Sequence, residues 1–533
     1  MPRSMWTVAA AGLAGVTMLA ASVESAPAKA AAEAVVARCS SGVPGDVNGD
    51  AYAEVAVGEP GNSRLRGSVH VFYGQRSGLV VDASGSARDD QYLTQDTPGV
   101  PGTAEAGDAF GTSTLLADLN GDGCADLVVG SRGENGGAGW VQVLFGSPDG
   151  LRTTGVQSFT VAALSGSPGS SEDQGLGDAL AAGDVDGDGV DDLVAGVPGV
   201  GVGGRVYAGG VAVVYGGRTG LDLGRSVLLT RDTPGVTGVA EEYGNFGRAV
   251  ATGDFDGNGT TELAVGSGDG EPGRGAVQVL ARTGTGFTGP APISPDEAGL
   301  PGQRDRFCTF GSVLASGDVH GDGRDDLAVG DPTFGCTSED DDPGPGAVVV
   351  LPGSTTGVTT AGSQLWTQDS PGVVGAARLG NGFGGSLALA PLDRNGTADL
   401  VIGARYDGVG RGAVGGSVTV LLGSAAGLTT NGIGGVRYTQ STRGIPGTDE
   451  RLDLFGQNVT AGFVQSRTQA TLVVSTPGED VGAVRDAGSI TQLPIGPAGP
   501  ELSAARTINA NTVGVQGQAK ANEYLGAAGG VWG

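Results

Sequence analysis

Basic residues and histidine are scarce in this chain. Its 533 residues hold 30 Lys and Arg against 58 Asp and Glu, a net charge of −28. A surface so acidic repels phosphate backbones and anionic lipid headgroups, which disfavours nucleic acid and membrane surfaces as partners. Only two lysines occur, Lys29 and Lys520, and two histidines, His70 and His320. So few imidazoles exclude a histidine-rich zinc centre, and a Ser-His-Asp catalyst would have to recruit one of the two. No G-x-S-x-G stands on a strand-to-helix turn, so no catalytic residue is assigned. Paired carboxylates for glycoside cleavage stay open among 58 acids, because spacing in sequence does not reveal separation in space. Four cysteines are too sparse for a disulfide scaffold. Long apolar runs are confined to the start. Arg3, an uncharged small-apolar stretch from Met5 to Val23, and Ala28-Lys29-Ala30 predict a secretory signal over residues 1–30, with an uncleaved anchor as the alternative. No later stretch could span a bilayer.

Glycine is abundant instead, 104 residues with 26 prolines, yet 39% of the chain is apolar and falls in short β-branched runs that can build a core. The pattern is a repeat. Acidic loops begin at Asp46 (DVNGDAYAE), Asp118 (DLNGDGCAD), Asp184 (DVDGDGVDD), Asp254 (DFDGNGTTE) and Asp318 (DVHGDGRDD). A decayed copy starts at Pro391 (PLDRNGTAD), and a bare frame at Phe463 (FVQSRTQAT). Successive starts lie 64 to 73 residues apart. Each loop precedes a four-residue apolar run, a Gly-rich turn, an alternating strand and a polar strand. A Phe-Gly or Leu-Gly pair then stands before the next loop, at Phe110, Leu176, Phe246, Phe310, Phe383 and Phe455. Four short strands per unit, seven units, predict an all-β, seven-bladed β-propeller. Thr507 to Gly526 copies the register of Thr94 to Gly111, so the C-terminal strand is expected to close the first blade. An open solenoid would need caps instead. The chain divides into a signal at 1–30, a lead-in at 31–45 and the propeller at 46–533.

Oxygen donors at positions 1, 3, 5 and 9 of each loop, with a backbone carbonyl at 7, suit a hard cation that takes six to eight oxygens, which favours Ca²⁺ over Mg²⁺. The candidate ligands are Asp46, Asn48, Asp50, Tyr52 and Glu54; Asp118, Asn120, Asp122, Cys124 and Asp126; Asp184, Asp186, Asp188, Val190 and Asp192; Asp254, Asp256, Asn258, Thr260 and Glu262; and Asp318, His320, Asp322, Arg324 and Asp326. An EF-hand would need Glu at position 12, where the third loop has Ala195. The fifth loop is expected to be weaker because His320 replaces an oxygen donor. The sixth keeps Asp393, Asn395 and Asp399, and the seventh keeps no carboxylate. About four to five Ca²⁺ ions are expected.

Phe-Gly before each loop, the loop motif itself, and Gly-x-Pro after the apolar run (Gly58-Glu59-Pro60, Gly196-Val197-Pro198, Gly330-Asp331-Pro332) resemble FG-GAP repeats, as in the integrin α-subunit head. The chain resembles a secreted bacterial FG-GAP repeat protein over about Asp46 to Gly526. The resemblance implies Ca²⁺ loops that stiffen the lower face and partners engaged on the upper one.

Strand polarity places Cys39 and Cys124 near the lower face of neighbouring blades and Cys308 and Cys336 near the upper face of one blade. A blade about 17–20 Å high forbids crossed pairing, so Cys39–Cys124 and Cys308–Cys336 are predicted. The function expected is a secreted, monomeric binding or adhesion module for an extracellular protein or glycan. An extracellular hydrolase, carbohydrate-active or other, and a passive structural component are the alternatives. Phe334 is the expected aromatic anchor on the upper face, beside the acidic run Glu339 to Asp342.

Overall fold

The computed structural model describes residue 39 and residues 42–532, apart from 80–89, 170, 269–273, 285, 297–298, 303–305, 337–342, 409–414, 467 and 497–498. The expected signal over 1–30 lies outside the described residues. Among those described, no helix is long and apolar enough to cross a membrane.

The strands form seven blades of four antiparallel strands. Blade 3 shows the plan. Leu180–Gly183 runs innermost, then Asp192–Val197, Gly210–Tyr215 and Asp222–Leu229 at the rim. The second and third strands are buried along their whole length because each is covered by a blade on either side. Their sequences, DLVAGV and GVAVVY, are accordingly near-continuous apolar runs.

The Phe-Gly pairs fill the gaps between blades. Phe110, Leu176, Phe246, Phe310, Phe383, Phe455 and Leu525 are all fully buried. Phe246 packs among Val211 and Val213 of blade 3 and Val265 of blade 4. Burying such a ring stabilises by about 1.5–3 kcal/mol. The backbone at these residues also bridges to the preceding blade, Gly67 to Phe110, Gly209 to Phe246 and Gly416 to Phe455. Gly67 has φ +85°, and a Cβ there would lie 2.1 Å from the Phe110 carbonyl oxygen, so only glycine permits the approach.

The ring closes as the repeat register predicted. Ala528–Trp532 pairs with Val55–Gly58 through Gly58↔Ala528 and Val57↔Gly529. It also runs parallel to the innermost strand of blade 2, at Val531↔Leu115, so one strand joins two blades. The seam holds a buried polar cluster. His70 Nδ1 lies 3.1 Å from Asp90 Oδ1, and Asp90 Oδ2 accepts the Gln516 amide at 2.7 Å. Burial opposes charging of His70, but the Asp90 hydrogen bond and the charges of Glu59, Asp90 and Glu523 outweigh it and raise its pKa. Both predicted disulfides are present, Cys39–Cys124 with Cα atoms 5.0 Å apart and Cys308–Cys336 at 6.4 Å.

Deleting Thr507 to Gly533 should abolish the compact monomer, because blade 1 would lose its inner strand and expose unpaired strand edges. Size-exclusion chromatography with light scattering checks this: aggregate is expected, and a truncated monomer with the full-length melting curve would contradict closure.

Candidate metal centres on the loop face

The loops between first and second strands all emerge on one face, the lower one, and their acids divide into two kinds. Those at positions 1 and 9 organise the backbone. Asp184 Oδ1 accepts the amides of Gly187 (2.7 Å) and Asp188 (3.0 Å), and Oδ2 that of Gly189 (2.8 Å). Asp46, Asp118, Asp254 and Asp318 do the same in their loops. At position 9, Asp192 Oδ2 accepts the Val185 and Asp186 amides, while Oδ1 accepts Gly216 at 2.8 Å, tying the loop to the end of the third strand. Asp126 with Gly146, Asp326 with Gly353 and Asp399 with Gly423 repeat this link. Glu54 and Glu262 reach the amides of Val47 and Phe255.

A backbone ring runs around this face. The position-8 amide of six of the seven loops donates to the position-1 carbonyl of the preceding one. Ala125 bonds Asp46 at 2.8 Å, Asp325 bonds Asp254 at 2.9 Å, Ala398 bonds Asp318 at 2.7 Å, and Ala53 bonds Phe463 at 3.1 Å across the closure. The glycine ending the third strand makes room: a Cβ on Gly146 would lie 2.4 Å from Ala125 O and 2.8 Å from Val47 O. Neither this glycine nor the buried apolar residue at position 2 (Val47, Leu119, Val185, Phe255, Val319) was among the sequence-predicted site residues. Their recurrence in register was the signal available.

Three loops gather carboxylate oxygens within 4.8 Å of one another: Asp46, Asp50 and Glu54; Asp184, Asp186 and Asp188; Asp254, Asp256 and Glu262. Asp186 Oδ1 and, in the second loop, Asp122 Oδ2 are buried and take no hydrogen bond. Burial pushes Asp192 and Glu262 up to about 7, with the neighbouring acids Asp186 and Asp256 adding to it. Burial likewise drives Glu54 and Asp126 well above the usual carboxylate range. Converging carboxylates with unused oxygens are the donor chemistry of a hard cation. Asn48 and Asn258 spend their side-chain oxygens on the amides of Asp50 and Thr260, and Asn120 on that of Asp122. Tyr52, Cys124, Val190, Thr260 and Arg324 occupy position 7, and the Cys124 sulfur is committed to its disulfide.

In the fifth loop, expected to be the weaker site, His320 Nδ1 lies 2.8 Å from Asp326 Oδ2, and Arg324 forms an ion pair with Asp322. The chain's own nitrogen donors thus pair with two of that loop's three expected carboxylate ligands. In the sixth loop, Asn395 Nδ2 donates to Gly423 O and Asp393 accepts the Asn395 amide.

Phe334 is not the exposed anchor expected from the sequence. It is 5% exposed, meets Phe307 edge-on with centroids 4.9 Å apart, and lies under the Arg306 guanidinium. The Cys308–Cys336 bridge draws its loop inward, and Gly346 donates to the Phe334 carbonyl. Glu339 to Asp342 lie outside the described residues.

Five segments match the FG-GAP repeat: residues 40–72, 110–144, 176–214, 246–280 and 310–351. The chain is 34% identical over 163 residues to phosphatidylinositol-glycan-specific phospholipase D of Bos taurus, covering 30% of this chain and 18% of that protein. It is 30% identical over 243 residues to integrin alpha-V of Gallus gallus, covering 44% and 20%. Among solved structures, the Dos1 propeller aligns over 81% of this chain and 75% of its own at 9% identity and a TM-score of 0.35. The chain therefore spans about a fifth of the length of these two relatives. It is a β-propeller, five segments of which match the FG-GAP repeat and part of which is similar to an integrin alpha subunit.

Asp192→Ala should cost about 3 kcal/mol, since two buried amides and one part-buried amide lose their carboxylate acceptor. Asp192→Asn, which keeps one oxygen, should cost less. Urea unfolding measures both, and an unchanged midpoint for the alanine variant would remove position 9 from the loop's support.

Proposed function

We propose that this propeller is an extracellular binding module, stiffened by Ca²⁺ in its first four loops, that takes a protein or glycan partner on the face opposite those loops. One observation carries the binding face. All nine large apolar side chains found exposed among the described residues, Leu65, Val206, Val239, Tyr243, Val374, Leu379, Tyr406, Leu452 and Val513, lie in upper-face connections. Confinement of apolar exposure to one face marks an interaction surface. Tyr207 and Tyr243 stack there with centroids 5.8 Å apart, and the Tyr207 hydroxyl reaches Asp173 Oδ2 at 3.4 Å. Two disulfides suit an oxidising compartment.

The similarity to a phospholipase D covers 18% of that enzyme, so its activity is not carried over. The grouping of His70 with Asp90 and Glu59 is at most 2% exposed and offers a substrate no entry.

Ca²⁺ fits the loops by number and hardness of donors. Loops 1 to 4 supply side-chain oxygens at positions 1, 3, 5 and 9, whereas loop 5 has paired its acids internally. Elemental analysis should return four Ca²⁺ per chain, and Asp184→Ala/Asp186→Ala should lose one while His320→Ala should lose none. Chelator should lower the melting midpoint, because each site at hundredfold excess over Kd adds about 2.7 kcal/mol. An unchanged midpoint would overturn the Ca²⁺ reading.

Partner capture is tested on a glycan array and against secreted proteins of the producing cell. The triple variant Tyr207→Ser/Tyr243→Ser/Leu379→Ser should lose at least about tenfold in signal, or about 1.4 kcal/mol, with Ca²⁺ content and melting unchanged. Full capture by that variant would exclude the upper face.

A further inference from the structure

At three interfaces, between blades 1 and 2, 2 and 3, and 5 and 6, the turn from third to fourth strand docks on the preceding blade through a glutamine. The Leu151 amide donates to Gln91 Oε1 at 3.0 Å, Leu221 to Gln157 at 2.8 Å, and Leu428 to Gln364 at 2.7 Å, each glutamine standing on the fourth strand of the preceding blade. In blade 4 the fourth strand, Gly286–Thr288, carries no glutamine and is followed by Gly289-Pro290-Ala291-Pro292. The prolines have no amide to donate, and the chain rejoins the sheet at Ile293, which exchanges both backbone hydrogen bonds with Val277.

A cleft of about 700 Å³ stands where the docking contact would be. This is the size of a small-ligand site. Its walls are aliphatic and hydroxyl-bearing, among them Val279, Ala281, Ile293 and Val358 with Thr288 and Thr359, and Asp256 and Glu262 stand at one end.

The neighbouring repeats show what those acids accept. In loop 3 the position-3 acid, Asp186, receives Arg225 Nη2 on Oδ2 at 2.6 Å, and the guanidinium lies 4.7 Å from the Tyr215 ring centroid. Arg225 comes from the fourth strand of its own blade, Asp222–Leu229, whereas the fourth strand of blade 4, Gly286–Thr288, carries no arginine. In loop 5, Arg324 pairs with Asp322. Among the described residues, no ion pair engages Asp256 or Glu262. We propose that the cleft between blades 4 and 5 binds a guanidinium group on an aliphatic stem, supplied by a ligand rather than by the chain, with Asp256 as its acceptor and Val279, Ala281 and Val358 along the stem. The chemistry is that of an arginine side chain or a free alkylguanidine. Carboxylate acceptors hold guanidinium by charge-assisted hydrogen bonds, and apolar walls suit its methylenes. The site is separate from the upper-face surface and does not depend on whether loop 4 holds a cation. In loop 3, Asp186 serves Arg225 with Oδ2 and keeps Oδ1 unbonded.

Calorimetric titration of the full chain with agmatine, with N-acetyl-arginine methylamide and with N-acetyl-glutamate methylamide tests the proposal. Saturable one-to-one binding of agmatine is expected, with no binding of the glutamate probe. Val358→Trp fills the cleft and leaves every acid in place, so affinity should fall at least about tenfold while Ca²⁺ content stays unchanged. Ala281→Arg, which supplies a guanidinium from within, should compete with agmatine and serves if the tryptophan variant fails to fold. Equal binding of both guanidinium probes assigns the site to arginine side chains, and binding of agmatine alone assigns it to free alkylguanidines. Absence of saturable agmatine binding, binding unmoved in both variants, or preference for glutamate would overturn the proposal.

Discussion

Blade-to-blade contact in this propeller is made backbone against backbone, at distances that a side chain would prevent. On the upper side a glycine such as Gly67 or Gly416 sits against the Phe-Gly segment of the next blade. On the lower side the position-8 amide meets the preceding loop's carbonyl, beside a glycine that ends the third strand. Two rings of contact therefore fix the spacing between neighbouring sheets, and the phenyl rings fill what is left. Much of the glycine content follows from this requirement rather than from flexibility, since these positions have no space for a Cβ.

That geometry determines what the acids can do. The loop backbone is held from both ends, by its ring partner and by the third strand, so the carboxylates at positions 1 and 9 must point inward to satisfy its amides. Burial raises the proton affinity of Asp192 and Glu262 at position 9. The acids at positions 3 and 5 inherit a site where several carboxylates already converge. Positive charge or protonation relieves the repulsion in such a cluster. Loops 1, 3 and 4 gather carboxylates that could hold a cation. Loop 5 answers the same demand with His320 and Arg324, and loop 6 with fewer acids.

What was legible in the sequence was periodic or local. The seven units, the Phe-Gly plugs, closure by the C-terminal strand and both disulfides follow from register and strand polarity alone. Phe334 was misplaced because nothing local distinguishes an aromatic residue capping a loop from one folded under it; its partner Phe307 lies on a different connection, before the first strand of that blade. The Gln-to-turn contacts were missed for a related reason. They join residues 60 or more positions apart, such as Gln91 and Leu151, and each half alone reads as an ordinary polar strand and an ordinary turn. The self-pairing of loop 5 was half visible, since His320 and Arg324 stood out in the motif, but which acid each engages depended on side-chain reach.

Departures from the repeat sort by face, and this bears on where binding chemistry can reside. On the lower face the loops are constrained by the backbone ring, so variation there changes charge pairing and leaves the path of the chain intact. The upper-face connections carry no such ring beyond the Phe-Gly contact, and they hold all nine exposed large apolar side chains and most non-glycine residues with positive φ, Tyr207, Tyr243 and Leu452 among them. Strained backbone and exposed apolar surface both cost stability, and their confinement to one face is what selection for contact, rather than for folding, would leave. Blade 4 is the exception on the lower side. Its fourth strand, Gly286–Thr288, carries neither a glutamine like Gln91, Gln157 and Gln364 nor an arginine like Arg225, and the cleft beside it ends at Asp256 and Glu262.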